Sequence, residues 1–151
     1  MKPGDVFRWI EFPRPRFDEI VKARWFVYLG TTGPFAQFAY IHCATTTTQT
    51  EHYEPGGSRE RSSIWRIRVS EITFFDQDCI LDYNEQPFSI PESEIQDALR
   101  RGQIEIKGTL PEDKIRMIYK QIMRSDSYSR RILIDIHESL NRFGFSNLKR
   151  P

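Results

Sequence analysis

Three features of the sequence predict a mainly β chain with helices toward its C-terminal end, an α+β class built on a small barrel of short antiparallel strands. Up to residue 82, aromatic-rich apolar runs of strand length alternate with polar or Pro/Gly punctuation. Beyond residue 89 the apolar spacing changes to that of helices. Finally, 151 residues with 38% hydrophobic and 13% aromatic content are the size of one domain with a real core, and that much aromatic surface argues against disorder.

The strands are expected at Asp5 to Phe12, Arg24 to Gly30, Phe35 to Ala44, Ile64 to Phe75 and, briefly, Cys79 to Asp82. Trp65, Ile67 and Val69 alternate with Arg66, Arg68 and Ser70, but Ile72 and Phe74 fall out of phase with them. Because side chains repeat every two residues along a strand, a bulge or sharp bend is predicted near Ser70 and Glu71. The connections Pro13 to Ala23 and Gln49 to Ser63 are polar and read as exposed loops.

Ser89, Pro91 and Glu92 read as a capping box with a first-turn proline, opening a helix that ends against Gly102. A strand at Ile104 to Lys107 follows. Thr109, Pro111 and Glu112 repeat the box before a stripe of Ile115, Ile118, Tyr119 and Ile122. A third helix, near Tyr128 to Phe143, places Ile132, Ile136, Leu140 and Phe143 on one face, with Gly144 at its C-terminal end and Phe145 able to fold back. One domain over 1–151 is expected, with 125–151 as a helical extension packed on it.

Charge is unevenly placed. From Asp76 to Leu99 there are seven acidic residues and no Lys or Arg, which leaves +8 on the remainder of a chain whose net charge is +1. A polyanion is drawn to that remainder, above all to Arg8, Arg14, Arg16, Lys22, Arg24, Arg59, Arg61, Arg66 and Arg68, and the acidic stretch is expected to face elsewhere. No apolar run approaches the length that spans a bilayer and the N-terminus lacks a signal-peptide layout, so no membrane partner and a cytoplasmic location are expected. Cys43 and Cys79 form no CxxC or Cys/His pattern; neither a disulfide framework nor a metal site is indicated, and both read as buried apolar residues.

The chain has no GxxxxGK[ST], GxGxxG, HExxH or GxSxG, which sets aside nucleotide hydrolysis, dinucleotide binding, zinc hydrolysis and the hydrolase elbow, and no cofactor is implied. His42 and Cys43 are adjacent on a predicted strand and point to opposite faces, so they form no nucleophile–base dyad. His42 with His52 remains a conceivable acid/base pair for RNA cleavage.

Five segments, in order, resemble the PemK/MazF family of endoribonuclease toxins: Lys2-Pro3-Gly4-Asp5-Val6, Lys22-Ala23-Arg24-Trp25-Phe26-Val27-Tyr28-Leu29, Phe38 to Ala44 with Thr45-Thr46, Asp78-Cys79-Ile80-Leu81-Asp82, and Ile106-Lys107-Gly108-Thr109-Leu110-Pro111 with its helix. The likeness spans residues 2–124, and Trp25 stands where the family usually has Pro. It implies an SH3-like, PemK-like barrel and metal-free cleavage of single-stranded RNA, in which a ribose 2′-OH attacks the adjacent phosphate and leaves a cyclic phosphate. Carried over, Arg24 grips the scissile phosphate, Thr45 donates to the same phosphate or orients the 2′-OH, with Thr46 and Thr47 as alternative registers, and Glu19 or Asp18 polarises or positions Arg24. RNA is expected at Arg59, Arg61, Tyr53 and Thr46, with Phe7, Trp9 or Tyr53 stacking bases. The resemblance further implies a homodimer neutralised by a cognate antitoxin. The rival reading is a non-catalytic small-barrel binding module for a nucleic-acid or protein partner.

Overall fold

The computed structural model describes residues 1–14, 21–33 and 36–151. Its seven strands are β1 (Asp5–Trp9), β2 (Arg24–Thr31), β3 (Tyr40–Thr47), β4 (Ile64–Ile67), β5 (Cys79–Asp82), β6 (Phe88–Pro91) and β7 (Ile104–Thr109); the helices are α1 (Glu92–Arg100), α2 (Glu112–Ile122) and α3 (Arg130–Arg142). All strand pairs are antiparallel along the path β4-β5-β3-β2-β1-β7, with β6 added to β3. The α+β class stands, but the expected barrel does not: the path has two free ends at β4 and β7, and the sheet is open.

The middle of the sheet is covered on both faces. Val6, Val27 and Leu29 look toward α2 and α3, in one core cluster with Ile118, Ile122, Ile136 and Leu140. Their neighbours Phe7, Trp9, Phe26 and Tyr28 look the opposite way, toward Ile95 and Ala98 of α1. Two-sided burial makes such strands near-continuous apolar runs, which is how Trp25 to Leu29 reads. The sheet needs no closure into a barrel to bury its apolar faces, because the helices cover them.

Several local expectations change. The strand from Ile64 ends at Ile67 rather than Phe75, because Ile72 and Phe75 reach the core singly from a run of turns, tied back where the Val69 N–H donates to Asp78 Oδ1 at 2.8 Å. The predicted bend at Ser70 lies in those turns. Neither capping box forms: Ser89 belongs to β6, which pairs with Tyr40–Cys43, and its hydroxyl meets His42 Nδ1 at 2.9 Å. The Thr109 hydroxyl donates to Asp5 Oδ1 at 2.7 Å. Helices α1 and α2 start at Pro91 and Pro111 with no side-chain cap, and first-turn Glu92, Glu94, Glu112 and Asp113 complement the dipole instead. Helix α3 does have a side-chain cap, Ser129 Oγ, which accepts from Ile132 N. Gly144 follows α3 at φ 88°, and Phe145 folds back onto the core as expected.

Two residues of the N-terminal motif, Gly4 and Asp5, hold the sheet together. Gly4 adopts φ 90° and has Ile115 Cδ1 2.3 Å from where a Cβ would stand, so only glycine fits there. Asp5 closes the same turn by accepting from the Lys2 N–H at 2.7 Å and pins β7 through Thr109.

Candidate functional site

The cleft follows from the parting of β2 from β3. The pairing of β3 with β2 ends at Phe26–Thr45, and the next two residues, Thr46 and Thr47, pair with Leu81 and Ile80 of β5. Meanwhile Arg24 and Trp25 stay on the other side of the divergence, paired with Trp9 and Arg8 of β1. Where the two strands part, a cleft of about 500 Å³ opens. Arg8, Lys22, Ala23, Arg24 and Trp25 line one side, and Thr45, Thr46, Thr47, Thr48 and Gln49 the other, with Phe75, Asp76, Gln77 and Cys79 completing the wall.

The lining carries three cations and one carboxylate, so its field favours an anion. Arg8 is partly engaged by Glu105 at 3.7 Å. Arg24 makes no ion pair or hydrogen bond among the described residues, although it is half-buried. A guanidinium held at a strand start without a partner keeps its planar fork for a ligand.

The threonines are not equivalent. Thr45 is 9% exposed and donates to Glu85 Oε2 at 3.2 Å. Thr46 bonds the Cys79 thiol, and Thr47 Oγ1 accepts from the Gln49 N–H at 3.2 Å. Burial pushes the Cys79 thiol up to about 11 and raises that of Cys43, so neither is a thiolate at neutral pH.

The acidic stretch does not turn away as a block. Asp76 is exposed on the cleft wall, Glu85 holds Thr45, and Asp82 is buried beneath a loop. There, Asp82 Oδ2 accepts from the Tyr53 hydroxyl at 3.2 Å and pairs with Arg59 Nη1 at 3.3 Å. Arg59 also donates to the Tyr53 oxygen at 3.1 Å, and burial raises that phenol to about 12. Tyr53 and Arg59 thus lock the loop over β5 and do not line the cleft; exposed Arg61 does not line it either. Phe7 and Trp9, at 0% and 2% exposure, have no face for a base. Glu19 and Asp18 lie outside the described residues.

The two histidines part company. His42 is buried between Ser89 Oγ and Asp135 Oδ2, at 2.9 and 3.3 Å, whereas His52 is exposed beside Glu51 at 3.9 Å. Burial lowers the His42 pKa, an effect that the Asp135 carboxylate only partly opposes. Among the described residues, no three His, Cys, Asp or Glu side chains are grouped as metal ligands are, and no helix is long and apolar enough to cross a membrane.

The site therefore gathers Arg24, Thr45 and Thr46, adds Trp25 and Asp76, and leaves out Tyr53, Arg59 and Arg61. Trp25 reads in sequence as one more strand aromatic, and Asp76 as part of an acid run; only the divergence of β3 from β2 shows where they lie. No protein-family model, curated protein or solved structure matches this chain.

Proposed function

We propose that this chain binds single-stranded RNA in the cleft between β2 and β3 and cleaves it there. What supports this reading is Arg24, a half-buried guanidinium with no ion pair or hydrogen bond among the described residues, in a net-positive cleft of about 500 Å³ rimmed by hydroxyls. In the proposed reaction a ribose 2′-oxygen attacks the adjacent phosphorus, its proton passing to the Asp76 carboxylate. The bond from phosphorus to the 5′-oxygen breaks, that oxygen takes a proton from solvent, and a 2′,3′-cyclic phosphate remains. Arg24 stabilises the charge that builds on the phosphoryl oxygens. The sequence likeness to PemK/MazF toxins points the same way, and with it come a homodimer and an antitoxin partner as further proposals.

The second reading, a binding module without chemistry, draws support from Thr45. Its hydroxyl is buried and committed to Glu85, leaving Thr46 to Thr48 as the hydroxyls nearer solvent. Incubation of the purified protein with a long single-stranded RNA in EDTA, followed by mapping of new 5′ ends, separates the two. New 5′-hydroxyl ends at reproducible sites are the expected result. RNA that is bound yet intact sinks the catalytic reading and leaves the module.

A further inference from the structure

The cleft has an aromatic wall as well as cations. Trp25 is half-buried and lines it together with Phe75, on which it rests with ring centroids 5.2 Å apart and planes inclined by 31°. The other two tryptophans, Trp9 and Trp65, are 2% and 8% exposed and belong to the cores. Successive residues of a strand point to opposite faces, so Arg24 and Trp25 meet one cleft only because it opens across the end of the sheet.

We propose that Trp25, backed by Phe75, is the platform on which one base of a bound single-stranded RNA stacks while the adjoining phosphate sits at Arg24. The inference rests on the reading of the cleft as a nucleic-acid site and adds the residue that engages a base. A strand crossing the sheet end meets the guanidinium on one side of β2 and the indole on the other, which suits the alternation of phosphate and base along the chain. The Lys107 ammonium now lies 5.5 Å from the centre of the Trp25 ring and pairs with Glu105 at 3.4 Å. A base displaces it: a cation over an exposed ring is worth roughly 2- to 5-fold in affinity, whereas a base–aromatic stack is worth roughly 5- to 150-fold. The displaced lysine keeps its partner in Glu105.

The test uses a short 2′-O-methyl RNA, which has no free 2′-OH and cannot be cleaved, and an abasic oligomer of the same length. The intact RNA should quench the tryptophan fluorescence of the wild-type protein and the abasic oligomer should not, since Trp25 is the one tryptophan of the three that is not buried in a core. Trp25→Ala should weaken binding of the intact RNA roughly 5- to 150-fold and leave the abasic oligomer unaffected, with Trp25→Phe close to wild type. Should Trp25→Ala fail to fold, Trp25→Leu keeps the apolar bulk without the flat face, and the wild-type quenching needs no variant. If both oligomers bind and neither quenching nor the substitutions distinguish them, the stack is wrong and the cleft reading survives. If neither oligomer binds, the cleft reading falls and takes the stack with it.

Discussion

Single residues divide here between those that hold the fold and those left free for a ligand, and the division follows from burial. Among the described residues Arg24 has no partner, while Arg59 is tied to Asp82 and Tyr53. In sequence the two look alike, each an arginine beside a polar loop. The His42 cluster, with Ser89, Asp135 and Arg131 around it, belongs to the holding group and leads to a pH prediction. Burial lowers the pKa of His42, and also that of His137, which is bonded to the Tyr119 hydroxyl at 2.8 Å. Below about pH 6.5 the unfolded chain therefore binds more protons than the folded one, and stability falls as pH falls through that window. Urea midpoints should drop between about pH 7 and about pH 5, and His42→Gln should flatten part of that slope. A midpoint that rises on acidification contradicts the assignment of a buried neutral His42.

Among the elements, α3 packs on β2 through a close approach that depends on Gly30. A Cβ there would stand 2.8 Å from Ile136 Cα and 3.0 Å from Ser139 Cβ. Gly30→Ala should lower the urea midpoint with an unchanged slope, by about 1 to 3 kcal/mol, as overpacking does. A neutral result would mean that α3 sits farther from the sheet. Elements with a long period were legible: all three helices and the strands from Arg24 and Cys79 lie where apolar spacing puts them. What was not legible had a physical cause. Four-residue β6 is too short to show alternation, and Ser89, read as a cap, has its hydroxyl claimed by a histidine 47 positions away. A sequence presents local bonding options, whereas the fold chooses among them with distant partners.

For the molecule as a whole, the decisive feature is that β2 parts from β3 at Thr45 while β3, which stands between β2 and β5, runs on. It pairs with β2 as far as Thr45 and with β5 from Thr46, and the gap that β2 leaves beside Thr46 and Thr47 becomes a cleft that collects Arg8, Lys22 and Arg24. Charge counting along the chain indicated a basic surface but not which arginines face it, because the loop from Gln49 to Ser63 folds its Arg59 onto a buried carboxylate. The most direct test of the cleft is charge reversal at two arginines that charge counting along the chain does not separate. Arg24→Glu should cut RNA cleavage at least roughly 100-fold, since it removes the guanidinium proposed to stabilise the phosphate. Arg61→Glu, exposed and off the cleft, should stay within about threefold of wild type. Loss of cleavage in Arg61→Glu with full activity in Arg24→Glu would contradict the placement of the site.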